Sequence, residues 1–352
     1  MQICDHNKRL QMHQSEHEKA RTKPALAFLL EADLAGEVYP ASVMEELAGL
    51  GDIRTGFISG KDWRKHRSEL REVEVIFSGW GAPLFDQELL AAVPNLRAVF
   101  YGAGSIQRIV TEDFWRKNIP ISCAASANGV PVSEYTISQI IFLLKDGYRY
   151  ARAVRERRAW VKHWPVAGAY GSKVGLVSLG SIGALVAEKL RDLDVEVLAY
   201  DPYVSSQRAK ELGASMVSLE ELFLKSDVIS VHAPLRPDTV GLIHEKLLRS
   251  MKSGAALINT ARGAVIDQDA LTRTLSERED LFAVLDVTWP EPPPAESIIY
   301  DLPNVVMTPH IAGSMSRECQ RMGLLMIQEF ERFLNGQPLR WRVTRDMLAW
   351  MA

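Results

Sequence analysis

A chain of two α/β domains, each built on a parallel sheet, is what this sequence predicts, and three observations point to it. At 352 residues, 47% of them hydrophobic, there is chain and apolar surface for about two packed cores. From residue 24 onward, short apolar runs alternate with amphipathic stretches, and the alternation runs through twice. The stretch 173–203, KVGLVSLGSIGALVAEKLRDLDVEVLAYDPY, reads as a single strand, helix and strand in succession.

Taken in order, residues 1–23 are polar, with His6, His13 and His17 scattered among Lys, Glu and Gln. Without cysteine partners or regular spacing these histidines make no metal site, and a solvated, disordered arm is expected. Strands are expected near 25–30, 53–58, 73–78, 96–101 and 119–123, with helices near 41–50, 61–70 and 86–92 between them. The segment 133–148 is apolar nearly all round, which predicts one helix buried between domains or subunits. The second alternation places strands near 174–179, 195–200, 228–232, 255–260, 281–287 and 305–308, and a final helix over 315–334.

Within that second half, the strand at 174–179 runs into Gly180-Ser181-Ile182-Gly183, which opens a helix. Gly180 has no side chain to obstruct a pyrophosphate, Gly183 allows close packing of helix on strand, and free amides at a helix start attract phosphate. Asp201, 18 residues past Gly183, ends the next strand, where a carboxylate accepts from a ribose 2′-hydroxyl. Together these predict a doubly wound, Rossmann-like domain that binds NAD. One position departs from the G-x-G-x-x-G pattern: Ser178 stands where the tight-turn glycine belongs, a substitution expected to fit only with φ negative.

Composition narrows the other classes. A net charge of −3 gives no reason to expect a nucleic-acid partner, and the basic stretches at 61–67 and 149–158 read as solvated helix faces. Cys4, Cys123 and Cys319 are widely spaced, with no metal-type spacing, which suits the reducing cytoplasm. No run of 18 apolar residues and no signal-like start suggest a membrane or export.

Three ionisable residues lie just past strands of the second half: Arg262 in INTARG, Glu291 in LDVTWPEP and His310 in MTPHIAG. A guanidinium clamps a planar carboxylate, an imidazole exchanges a proton near neutral pH, and a carboxylate on its far nitrogen fixes the tautomer. Beside a nicotinamide, that set suits interconversion of a 2-hydroxy acid and a 2-keto acid. Taken singly, each also reads as an ion pair, a helix-start residue or a loop brace.

The blocks VGLVSLGSIG, SVHAPLRPDTVGLI, MKSGAALINTARGAVIDQDAL, VLDVTWPEP and NVVMTPHIAG occur in this order, and through them the chain resembles the NAD-dependent D-isomer-specific 2-hydroxyacid dehydrogenases from about residue 24 to 339. The resemblance implies that Arg262 binds the substrate carboxylate and keto oxygen, His310 is the acid/base and Glu291 orients it. It places Asp286 near the nicotinamide, with Thr260, Ala261 and the turn His232-Ala233-Pro234 along the cofactor's path. Gly102-Ala103-Gly104 looks like the loop whose amides hold the substrate carboxylate, with Trp80 and Tyr101 restricting the pocket beside it. It further implies a substrate domain of 24–127 plus 315–352, an NAD domain of 128–314, and an active site in the cleft between them. A homodimer would bury the helix after an Asn128-Gly129-Val130 linker. With 42 residues after His310, no appended regulatory domain is expected. The competing reading is a non-enzymatic NAD(H)-sensing corepressor on the same fold.

Overall fold

The computed structural model describes residues 23–161, 166–349 and 351, so the expected N-terminal arm lies outside the described residues. The described residues divide into two compact units, one from 23–102, 108–122 and 326–342, the other from 103–107, 123–161, 166–325, 343–349 and 351. Both are α/β.

The first unit's sheet contains β1 (Ala25–Leu29), β2 (Asp52–Ile58), β3 (Val75–Ser78), β4 (Ala98–Tyr101) and β5 (Ile121–Cys123). Its order is Arg342–Val343, β5, β4, β3, β1, β2, and β1 pairs in parallel with β2 and β3, as does β3 with β4. Four strands read ALAFL, VIFS, AVFY and ISC and are buried at every position, which requires cover on both faces. Part of that cover is aromatic: Phe330 meets Phe77 and Phe100 edge-on at 5.4 and 5.6 Å, and Phe28 contacts Tyr39, Phe57 and Phe77.

The second sheet has β6 (Ser172–Val177), β7 (Val195–Tyr200), β8 (Ala214–Met216), β9 (Val228–Val231), β10 (Ala256–Asn259), β11 (Phe282–Leu285) and β12 (Val305–Met307). All its pairings are parallel, in the order β12, β11, β10, β9, β6, β7, β8. Because neighbouring residues of a strand face opposite ways, Leu257 and Ala283 join the core on one face while Ile258 and Val284 join that on the other. The chain leaves β6 toward β7 and later returns to β9 on its other side. The loop after β6 therefore sits at the switch point, where doubly wound sheets take their ligands.

Three expectations need correction. The segment 133–148 is two helices, Ala125–Leu144 and Gly147–Arg157, broken at Asp146 with φ +49°. The first buries Ile140, Leu143 and Leu144 in the second unit's own core and leaves Ile141 and Phe142 exposed within the single chain. Asn128-Gly129-Val130 lies inside that helix and is no linker. The strand β8 and the pair Arg342–Val343 were not expected at all, since both are too short to carry a periodic signal.

Glu329 fastens the end of the first unit. Its carboxylate, 1% exposed, accepts from Ser122 Oγ at 2.8 Å and from the amides of Arg340 and Trp341 at 3.0 and 2.9 Å. Glu329→Ala orphans three donors and should cost about 2 kcal/mol. Urea unfolding monitored by circular dichroism reads this directly, and a change below about 0.5 kcal/mol would remove the fastening role.

Candidate functional site

Parallel pairing lines up the loops that follow β6, β7, β9, β10, β11 and β12, and every ionisable residue singled out in the second half lies on one of them. Asn259 is in register with Leu285, and Leu285 with Met307. Arg262, Asp286 and His310 therefore follow three adjacent strands.

After β6, the helix Ser181–Leu190 starts at Gly180, which gives it no side-chain cap. A Cβ on Gly180 would find only Ser178 Oγ, at 3.8 Å, so that side is open. On Gly183 a Cβ would stand 2.1 Å from the Ser178 carbonyl oxygen. One glycine leaves room outside the loop and the other permits contact within it, which is the shape a pyrophosphate needs. Ser178 overturns the expectation of negative φ: it adopts +80°, so the tight turn is kept with a side chain in place. Its hydroxyl donates to Asp201 Oδ2 at 3.0 Å.

Asp201, 8% exposed, also accepts from Leu179 N and Tyr203 N, each at 2.8 Å. Arg208 is ion-paired with Glu211. Sequence reading missed a second cation at this end, Arg236, whose guanidinium lies 5.2 Å from the Tyr203 ring centroid and grips Asp238 through Nε and Nη2 at 2.9 and 3.0 Å. Only the strand order brings residue 236 beside residue 203.

The INTARG loop is shaped by Asn259, another residue not singled out beforehand. Its Oδ1 accepts from Ala261 N and its Nδ2 donates to Arg262 O, both at 3.1 Å. The Arg262 side chain emerges from that clasp and donates through Nη1 to Ala261 O at 2.7 Å. A Cβ on Gly263 would lie 2.0 Å from the Thr288 carbonyl, so this glycine lets the chain leading to Glu291 lie directly against the arginine loop. Thr260 is buried, with its Oγ1 3.3 Å from Thr136 Oγ1.

His310 and Glu291 meet, with Nδ1 and Oε1 2.7 Å apart, and both side chains are about half exposed. His310 sits at φ +57°, a strained conformation for a residue with a Cβ. Asp286, 1% exposed, holds it there: its backbone oxygen accepts from His310 N at 3.0 Å, and its carboxylate accepts from Thr308 Oγ1, Ile311 N and Ala312 N at 2.6 to 2.9 Å. Tyr135 OH, 3.1 Å from Thr308 Oγ1, extends the network to the helix Ala125–Leu144. Asp286, singled out for its place along the cofactor, is thus also the brace of the histidine loop.

Of the glycine loop that follows β4, Gly102 donates its amide to Ser78 O at 2.8 Å, and a Cβ there would collide with Tyr39 OH. Ala103 is buried and accepts at its carbonyl from Ala124 N. His232, Ala233 and Pro234 follow β9, with His232 N on Val177 O at 2.9 Å and its ring Nε2 3.0 Å from Ser230 Oγ.

Residues 137–312, half of the chain, match the family model for the D-isomer specific 2-hydroxyacid dehydrogenase NAD binding domain. A glyoxylate reductase of Korarchaeum cryptofilum is 32% identical over 256 residues, covering 72% of this chain and 77% of that protein. The chain belongs to the D-isomer-specific 2-hydroxyacid dehydrogenase family. A D-3-phosphoglycerate dehydrogenase of Archaeoglobus fulgidus is also 32% identical, over 72% of this chain and 48% of its own length, and one from Mycobacterium tuberculosis is 30% identical over 86% and 57%. This chain spans about half the length of those phosphoglycerate dehydrogenases. The fold is that of the NAD-complexed D-isomer specific 2-hydroxyacid dehydrogenase of Lactobacillus delbrueckii ssp. bulgaricus, with TM-score 0.76, 21% identity and coverage of 91% and 100%. As family members do, this one carries an NAD-binding domain.

Burial holds the His232 ring neutral, pushing its pKa from the ordinary 6.5 down to about 4. Below about pH 6.5 the unfolded chain takes up a proton that the folded ring refuses, so stability present above that pH is lost progressively down to about pH 4. The loss reaches at most about 3 kcal/mol. Unfolding midpoints measured from pH 7.5 to 4.5 should fall less steeply for His232→Asn than for the unaltered protein, whereas parallel curves would show that His232 does not titrate this way.

Proposed function

We propose that this protein is an NAD-dependent dehydrogenase that interconverts a small D-2-hydroxy acid and its 2-keto acid. The observation that carries the reading is the 2.7 Å contact between His310 Nδ1 and Glu291 Oε1, on the strand-end loops beside Arg262. With Nδ1–H donated to Glu291, the tautomer leaves Nε2 to hold a proton for the carbonyl oxygen or to take one from the alcohol. Arg262 binds the carboxylate through its planar fork and stabilises charge growing on the carbonyl oxygen. The amides of Ala103 and Gly104 complete the grip on the carboxylate.

NAD(H), when bound, supplies the hydride acceptor or donor. The amides of Ser181, Ile182 and Gly183 would hold its pyrophosphate and Asp201 its adenosine ribose. Thr260, Ala261, Asp286 and the His232-Ala233-Pro234 turn would line the rest of its length. The sequence offers no cluster of further cations around Arg262, which favours a substrate without a phosphate group. Glyoxylate, hydroxypyruvate and pyruvate are the first compounds to test. We further propose that the protein works in the cytoplasm as a homodimer. The exposed Ile141 and Phe142 would lie in its interface, and the buried thiols of Cys123 and Cys319 suit a reducing compartment. Nucleic acid and membrane are not proposed as partners, and among the described residues no helix is long and apolar enough to cross a membrane.

NADH oxidation with a panel of 2-keto acids tests the assignment, and turnover on none of them would refute it. His310→Gln should lower kcat by roughly 100- to 10,000-fold, and Glu291→Gln, which keeps an acceptor but loses the charge, by less. Because the two act as one unit, the double variant should be hardly slower than His310→Gln alone. Multiplicative losses would separate Glu291 from the histidine.

Arg262→Lys replaces a two-pronged contact with a point charge. A loss of roughly 2 to 5 kcal/mol in transition-state binding is expected, read as kcat/KM for the keto acid with NADH affinity unchanged. Near-normal efficiency in the Lys variant would take Arg262 out of the site.

A further inference from the structure

Ser178 occupies a backbone conformation made for glycine. At φ +80° an L-residue strains against its own Cβ, and such conformations persist only where the surroundings impose them. Here they do so from both sides. Ser178 N donates to Tyr200 O at 2.8 Å, and the Ser178 carbonyl oxygen is pressed into the space left by the missing Cβ of Gly183. Glycine would meet both constraints without strain. What serine adds is a single hydroxyl, and that hydroxyl donates to Asp201 Oδ2.

The acceptor it engages is already well supplied. Leu179 N donates to the same oxygen and Tyr203 N to Oδ1, so three donors surround a carboxylate with about four acceptor sites. The amide donors fix where the carboxylate sits. The hydroxyl adds a third bond that must break before the carboxylate can swing aside, and swinging aside is what a cofactor with a 2′-phosphate would require of it. The cation that could otherwise welcome such a phosphate, Arg236, is held by Asp238.

We propose that Ser178 is a positioning residue that locks the Asp201 carboxylate in the orientation that accepts a ribose hydroxyl, and so sets the preference for NAD over NADP. The inference rests on the assignment of Asp201 to the adenosine ribose. It separates two properties that a glycine at this position would merge. Loop strain follows the backbone, whereas cofactor discrimination follows the hydroxyl.

The test titrates the full chain and its Ser178→Gly, Ser178→Ala and Asp201→Ala variants with NADH and with NADPH by fluorescence, without substrate, and records thermal unfolding of each. Glycine removes both hydroxyl and strain, while alanine removes the hydroxyl and keeps the strain. Both Ser178 variants should weaken NADH binding by about three- to tenfold and lower the NADPH-to-NADH Kd ratio by about tenfold. The glycine variant should unfold at a higher temperature than the alanine variant. A Kd ratio within twofold of the unaltered protein in both variants, while Asp201→Ala still weakens NADH, would overturn the role of Ser178 and leave the ribose assignment standing. A ratio that changes in the alanine variant alone would assign the effect to the backbone and overturn it equally. Unchanged NADH affinity in Asp201→Ala would remove the ribose assignment and the inference together.

Discussion

Two buried aspartates, at the ends of β7 and β11, determine the shape of the loops on which the site is built. Asp201 takes the amides of Leu179 and Tyr203, and Asp286 takes those of Ile311 and Ala312. Each collects donors from the loop after the neighbouring strand, so each converts parallel strand pairing into a fixed loop conformation. In both places the cost is a residue at positive φ, Ser178 in one and His310 in the other. A buried carboxylate with several amide donors can hold such a conformation, because losing it would strand charge and donors together away from water.

This arrangement links the sheet to the placement of the candidate residues. His310 belongs to a short segment tied at Thr308, His310, Ile311 and Ala312 to a single aspartate, so the ring's position is inherited from the sheet. Glu291 arrives from the other direction, on a chain allowed to approach by the missing side chain of Gly263. Arg262 is presented by a turn clasped at both ends by Asn259. Three candidate residues from three loops are thus placed by Asn259, Gly263 and Asp286.

Much of this was legible beforehand, for identifiable reasons. The strands buried on both faces announce themselves as continuous apolar runs, and the glycine loop by its spacing between strand, helix and acid. Arg262, Glu291 and His310 were legible because each lies a few residues past such a run. The single helix expected over 133–148 is two because the chain breaks at Asp146 with a positive φ, which an apolar pattern does not announce. The three-residue β8 gave no periodic signal and is a strand only because β7 offers it an edge.

What the sequence by itself determined is local: which stretches are strands, where the glycines fall, and which ionisable groups follow the strands. Such features depend on residues within a few positions of each other, where side-chain alternation and helix periodicity act. The tertiary structure decided which of those groups meet. Ser178 with Asp201 is a contact across 23 residues, and Asp286 with Ala312 one across 26, each created by the sheet's strand order and register. Spacing along a chain says nothing of strand order. That is why serine in place of a glycine reads as a defect in the sequence, while in the fold its hydroxyl is a donor to the carboxylate beside it.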